Sequence, residues 1–217
     1  MDFVFYIVLF LDKLYSIIIF QEFFQSMCCF KKQAMQLEGL SMEWYAIFVE
    51  TGREEEVQKF IELLFPDEEI RTLVPKRKLI ERKQGKTYET IKTLIPGYVL
   101  TYTNMSDELY YKLKAVPAVY RVLKDECEPI PIRDEEISMI LSLTRYGEII
   151  ELSEVYKEGN QIKVLSGPLK GMEGIIEKFD HRKKRIKVCI EFLGEYKRVD
   201  LGANMVVPCK KEERPEA

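Results

Sequence analysis

Residues 164–174 read VLSGPLKGMEG. The three glycines and one proline of this stretch join two strand-like runs, QIKVL (161–165) and GIIEKFD (174–180), the second opened by Gly174. Glycine tolerates positive φ and proline presets a turn, so the backbone can reverse tightly here. A phosphate-cradling loop would need a helix pattern behind it and a closing GK[ST], and neither follows. Downstream, RIKVCIEFL (185–193) and YKRVDL (196–201) continue the strand texture. Short runs at this spacing, divided by Gly-rich or charged turns, predict a small barrel of five strands over 159–208, with 209–217 as a tail.

Upstream of the barrel, RYGEIIELSEVYKE (145–158) has only weak periodicity and reads as a linker. Before it, the texture alternates. EWYAIFVE (43–50) fits a buried strand, and Thr51-Gly52 breaks it. Val57, Phe60, Ile61 and Leu64 then recur at i, i+3, i+4 and i+7, which places one apolar stripe on a helix that Pro66 stops. Gln84-Gly85 divides two strand-like arms, so a hairpin with a basic tip is expected. Pro96-Gly97 is followed by the β-rich YVLTYT (98–103). Ser106 can cap a helix whose first turn holds Asp107 and Glu108; it carries Leu109, Tyr110, Leu113 and Val116 and ends at Pro117. Val119–Leu123 reads as a last strand, and Asp134-Glu135-Glu136 opens a further helix with Ile137, Ile140 and Leu141 inward. Strands alternating with helices in this way predict an α+β sandwich over 42–144, an antiparallel sheet covered by helices.

The remaining forty residues contribute little. The apolar runs 3–11 and 14–21 are split by Asp12-Lys13, and neither approaches the ~18 uninterrupted apolar residues of a membrane span. Asp2 stands where a signal peptide would carry its basic start. Residues 1–41 are therefore expected to be an upstream extension, disordered or foreign to the working protein, with Met42 as the natural start. No membrane association is expected, and the location is read as cytoplasmic.

Composition narrows the function. An apolar fraction of 47% and a charged fraction of 32% describe an ordinary globular chain. Five cysteines without CxxC spacing, beside a single histidine, favour neither a zinc site nor a disulfide framework. No GxSxG, HExxH or HRD motif is present, so neither a catalytic residue, a metal nor a cofactor is expected. The net charge is −3, yet the residues from Lys157 onward hold 14 Lys and Arg against 10 Asp and Glu. A nearly neutral whole can thus present a basic face. Two cationic sets stand out: Lys76, Arg77, Lys78, Arg82, Lys83 and Lys86 around the first hairpin, and Arg182, Lys183, Lys184 and Arg185 beside His181 at a turn. Basic tips near tyrosines, here Tyr88 and Tyr196, suit phosphate-backbone contact. Trp44, Ala46 and Phe48 share one strand face, and Tyr98, Leu100 and Tyr102 another. A sheet face without helical cover would turn these into an exposed apolar patch for a protein partner.

Together, Trp44–Val49, Gly52 with the helix Val57–Leu64, Pro96-Gly97-Tyr98-Val99, Ala118-Val119-Tyr120 and Pro129–Leu141 resemble the N-terminal (NGN) domain of the NusG family of transcription elongation factors. Gly159, Val164, Gly167-Pro168, Gly171, Gly174 and Ile186–Leu193 resemble its C-terminal KOW domain. Within the family, the basic segment 75–86 and the 181–187 turn look more like the specialised antiterminator branch LoaP than the general factor. The resemblance implies an NGN sandwich plus a KOW barrel that bind RNA polymerase and suppress pausing and termination. It implies a polymerase-binding patch of Trp44, Phe48, Ile95, Tyr98 and Leu100, with Tyr110 and Tyr111 toward the opposite pincer. It also implies recruitment by a nascent RNA hairpin gripped by the basic residues, and a monomer. The second reading is a general factor whose KOW barrel couples polymerase to Rho or a ribosomal protein. The chain departs from the general pattern at Tyr120-Arg121, where a Gly-Phe pair is usual.

Overall fold

In a computed structural model, residues 41–126, 128–145, 147–158 and 161–206 are described. The extension and the tail expected at the two ends lie outside them, as does Gly159.

The N-terminal elements follow the expected order. Strand β1 (Glu43–Val49) leads into helix α1 (Glu54–Leu64), then β2 (Ile70–Leu73), β3 (Lys76–Lys83), β4 (Lys86–Thr93), β5 (Tyr98–Thr103), helix α2 (Asp107–Lys114), β6 (Val119–Val122) and helix α3 (Asp134–Thr144). The central sheet runs β2-β5-β1-β6 and is antiparallel throughout. Ser106 caps α2 as its hydroxyl accepts from the Leu109 amide at 3.1 Å. Gln84 and Gly85 both take positive φ, which a two-residue hairpin turn between β3 and β4 requires.

The two faces of this sheet have different covers. Ile47, Val49, Val99 and Val122 point to one side and bury against Val57 and Ile61 of α1 and Leu109 and Leu113 of α2. Ala46 and Leu100 point to the other side and join Ile137, Ile140 and Leu143 of α3. Leu143 is buried in this layer whereas Leu141 is half-buried, so the inward stripe of α3 is shifted from the expected set.

The C-terminal module is a five-stranded sheet ordered β10-β11-β12-β8-β9. Its strands are β8 (Ser153–Glu158), β9 (Gln161–Ser166), β10 (Ile176–Asp180), β11 (Arg185–Phe192) and β12 (Glu195–Met205). Residues 195–202 of β12 pair antiparallel with β11 and residues 203–205 pair parallel with β8, so one long strand joins both parts. Segment 145–158, expected to be an irregular linker, contains β7 (Ile149–Ile150) beside β3 as well as β8, the fifth strand of the sheet. Gly167 has φ +97°, and a Cβ there would lie 2.6 Å from the Ser153 Cα, so the turn quoted first closes directly onto β8.

The hydrophobic core runs without a break from Ala46, Leu100 and α3 into Val188, Ile190 and Phe192 of β11. The sandwich and the C-terminal sheet are therefore packed together through the face opposite α1 and α2.

Candidate functional site

The aromatic face is set by strand register. β1 and β5 pair antiparallel with Trp44 opposite Tyr102 and Phe48 opposite Tyr98. Directly opposed residues on one face bring their side chains together. The Trp44 and Tyr102 rings stand 5.2 Å apart, those of Phe48 and Tyr98 5.4 Å, and those of Phe48 and Tyr120 5.4 Å. All but the exposed Tyr120 are half-buried. The Arg121 guanidinium sits 5.6 Å from the Phe48 ring centroid, a cation–π distance.

This face is not bare, so the condition under which it would form an exposed patch is not met in this arrangement. Phe192 of β11 meets Tyr98 edge-on at 5.3 Å, and the Lys197 ammonium lies over both rings at 5.5 and 5.7 Å. Ile95 and Leu100, expected in the patch, are buried at 3% and 0% exposure. Tyr110 and Tyr111 belong to α2, which covers the other side of the sheet; Tyr111 is exposed and Tyr110 half-buried. The expected polymerase residues therefore divide between two opposite sides of the sandwich.

Glu136 fastens the C-terminal sheet over the face. Its carboxylate is buried and accepts from the Leu193 amide at 3.0 Å, the Gly194 amide at 2.9 Å and the Arg133 guanidinium. Burial alone would raise its pKa, but these hydrogen bonds outweigh burial and hold it below the ordinary carboxylate range. Glu136 stands with Asp134 and Glu135 in the first turn of α3, where the helix dipole favours acids. Its reach to the β11–β12 turn had no local signal.

The cationic residues separate into two groups. Lys76 is largely buried and pairs with Glu55 and Glu148, each at 3.1 Å. Burial would lower its pKa, yet the two carboxylates raise it overall. Arg77 donates to the Asp200 carbonyl at 2.8 Å; burial lowers its pKa, with Asp200 opposing and the nearby Arg185 reinforcing the shift. Lys78 pairs with Glu151 at 2.6 Å and Glu89 at 3.8 Å. Arg185 spans Glu81 and Asp200 at 3.3 and 3.5 Å. These four, expected to hold RNA, are engaged within the protein.

By contrast, Arg82, Lys83, Lys86, Arg182, Lys183 and Lys184 are all exposed, and none forms an ion pair with a described residue. They crown the β3–β4 turn and the β10–β11 turn. The two turns, about a hundred residues apart in the chain, flank a single groove of about 950 Å³. Ile80, Glu81, Arg82 and Thr87 form one wall and residues 180–185 the other. Tyr88 stands opposite Glu81 in the hairpin register and is half exposed.

Residues 42–141 match the family model described as transcription termination factor nusG. The transcription termination/antitermination protein NusG of Helicobacter pylori is 31% identical over 157 residues, which cover 69% of this chain and 89% of that protein. The chain belongs to the NusG family. The Campylobacter jejuni NusG is 26% identical over 73% of this chain and 93% of its own length. Among solved structures, one titled "Domain interaction in Thermotoga maritima NusG" has a TM-score of 0.47 at 27% identity, covering 75% of this chain and 94% of that one. As a NusG-type termination/antitermination factor, the protein acts in transcription. Among the described residues, no helix is long and apolar enough to cross a membrane.

Proposed function

We propose that this NusG-family protein is a specialised processive antiterminator, recruited by a hairpin in the nascent transcript, that binds RNA polymerase through the aromatic face of its N-terminal sandwich. One observation carries the specialised reading: six exposed, unpaired cations on two turns flanking one groove, in a chain of net charge −3. Cations left without internal partners are available to phosphates, and A-form RNA is gripped by backbone and shape rather than through its narrow major groove.

Trp44, Phe48 and Tyr98 are the apolar anchors proposed for polymerase, with Tyr111 on the opposite side for a second contact. Half-buried aromatics that already contact Phe192 and Lys197 can serve a partner only after the C-terminal sheet has moved off them. Polymerase can favour that open form only by the difference in its affinity for the two forms. The action is mechanical: a factor holding both sides of the polymerase cleft favours the elongating state over the paused one.

Capture of RNA polymerase by the immobilised full chain tests the face. Tyr98→Asp abolishes capture under this reading, although it also loosens the Phe192 contact. Loosening alone would increase capture, so the sign separates the two effects. Undiminished capture by Tyr98→Asp overturns the assignment. A general factor would capture polymerase equally well and bind structured RNA weakly, with little dependence on salt.

A further inference from the structure

The two basic turns were read from the sequence as separate features of separate modules. They border one groove because β3 of the sandwich lies against β12 of the C-terminal sheet. Arg77 reaches the Asp200 carbonyl, and Arg185 reaches Glu81, across this junction. Gly202 of β12 lies at this junction. A Cβ on Gly202 would stand 2.4 Å from the Lys78 carbonyl oxygen and 2.3 Å from a Leu152 methyl carbon. Lys78 belongs to the sandwich, whereas Leu152 directly precedes β8, whose Ser153 pairs with Ala203 of β12. The Lys78 carbonyl, a backbone atom, thus demands glycine at 202 while the two modules are docked.

We infer that the two turns form one composite RNA site that exists only while the modules are docked, with Gly202 as the residue that permits docking. The inference rests on the RNA-recruited reading above. It goes further in assigning the site to the junction and in making its affinity depend on the junction's closure. At about 950 Å³ the groove is in the size range of small-ligand sites, roughly 300–1,000 Å³. It therefore admits a few nucleotides of backbone rather than a whole duplex. Lys83 and Lys86 extend the charge beyond the groove wall, which a polymer can use and a small anion cannot. Arg82, Arg182, Lys183, Lys184 and Arg185 outweigh Glu81 and Asp180 among the groove's own residues, and Glu81 is already held by Lys92 and Arg185. The Nε atoms of Arg77 and Arg185 are buried without a hydrogen-bond partner, so the junction carries a surplus of donors. Linkage makes the dependence reciprocal: RNA in the groove stabilises the docked form, in which Phe192 covers Tyr98, so the transcript brings a closed factor to the polymerase, and the polymerase opens it at the cost of RNA affinity.

The test uses the full chain and a short fluorescent RNA stem-loop, titrated at about 50 mM and about 200 mM salt. Three variants are compared with the parent: Gly202→Ala, the hairpin reversal R82E/K83E/K86E, and the turn reversal R182E/K183E/K184E. Small-angle scattering reports docking. Gly202→Ala keeps every cation; it should extend the particle and weaken RNA binding about tenfold. Each triple reversal should weaken binding and flatten the log–log salt slope, since about 0.7–0.9 is lost per phosphate contact removed. A Gly202→Ala protein that extends yet binds RNA as tightly as the parent overturns the composite site while leaving RNA recruitment standing. So does a hairpin reversal without effect. If Gly202→Ala fails to fold or stays compact, Glu136→Ala replaces it, because it releases the β11–β12 turn and leaves all the groove cations in place. A parent that binds no RNA at about 50 mM salt overturns both readings, as does one displaced equally well by an acidic peptide.

Discussion

Lys76-Arg77-Lys78 and Arg182-Lys183-Lys184 are indistinguishable as runs of three cations, and the fold treats them oppositely. The first begins a strand flanked by α1, β7 and the C-terminal sheet, and its charges are met by Glu55, Glu148, Glu151, Glu89 and the Asp200 carbonyl. The second occupies a turn whose flanking strands end below it; the Asp180 carboxylate accepts from the Lys183 amide, but among the described residues no carboxylate forms an ion pair with the three side chains. A cation on a strand beside other elements is neutralised by what packs there; on a turn tip it keeps its charge for solvent or a ligand. The density of basic residues therefore overstates the binding surface, and topology sorts it.

Exchanging charge at the two runs breaks this contrast most visibly. R182E/K183E/K184E should lower affinity for an RNA stem-loop on the order of a hundredfold at low salt, read by fluorescence anisotropy. Lys78→Met should leave that affinity within about twofold. Equal losses from the two variants would erase the distinction.

The next effect concerns stability. Lys76→Met removes the ammonium from Glu148, which keeps the Gln58 amide at 2.7 Å and a side chain 42% exposed. It should cost about 1 kcal/mol in a denaturant melt, the upper end for a pair open to solvent. Arg182→Met, at an exposed turn, should fall within about 0.5 kcal/mol of the parent.

Acid sharpens the comparison through the carboxylates. Glu136 and Glu148 both have pKa values below the ordinary range, where burial is outweighed by hydrogen bonds from Arg133 and two amides in one case, and from Gln58 and Lys76 in the other. A depressed folded pKa means that the stabilisation is complete above the unfolded value, about 4.3, and is lost as pH falls below it. The melting temperature should hold from neutrality down to about pH 5 and then decline, with a smaller decline in Glu136→Gln. The smallest effect is expected for Lys78→Met on stability. Its partners Glu89 and Glu151 are well exposed, and such pairs contribute about 0–1 kcal/mol.

Local signals in the sequence suffice for the elements of the sandwich. The Ser106 cap and the Gln84-Gly85 reversal each act within a few residues and are found where expected, whereas the stripe expected on α1 is met only in part: Val57 and Ile61 are buried, Phe60 is half-buried, and Leu64, in the last turn, is exposed while Gln58 is buried in its place. What was not legible depends on partners far along the chain. Lys76 meets Glu148, Arg77 meets Asp200, and Glu136 meets Leu193 and Gly194, and no window of periodicity spans such separations. β7 has two residues, too short for alternation to register, and β8 carries Ser153, Glu154, Lys157 and Glu158 among its six. The segment therefore read as a linker. The aromatic face was legible as a face, but its cover was not: Phe192 belongs to a strand whose own alternation gives no hint of Tyr98. The convergence of two basic turns on one groove was invisible for the same reason.

The salt dependence of RNA affinity measures the central claim most directly. With six unpaired cations engaged, a plot of log K against log salt concentration between about 50 and 200 mM should fall with a slope of about −4 to −5. A slope near zero, or no measurable binding to a structured RNA at the lower salt, would contradict it.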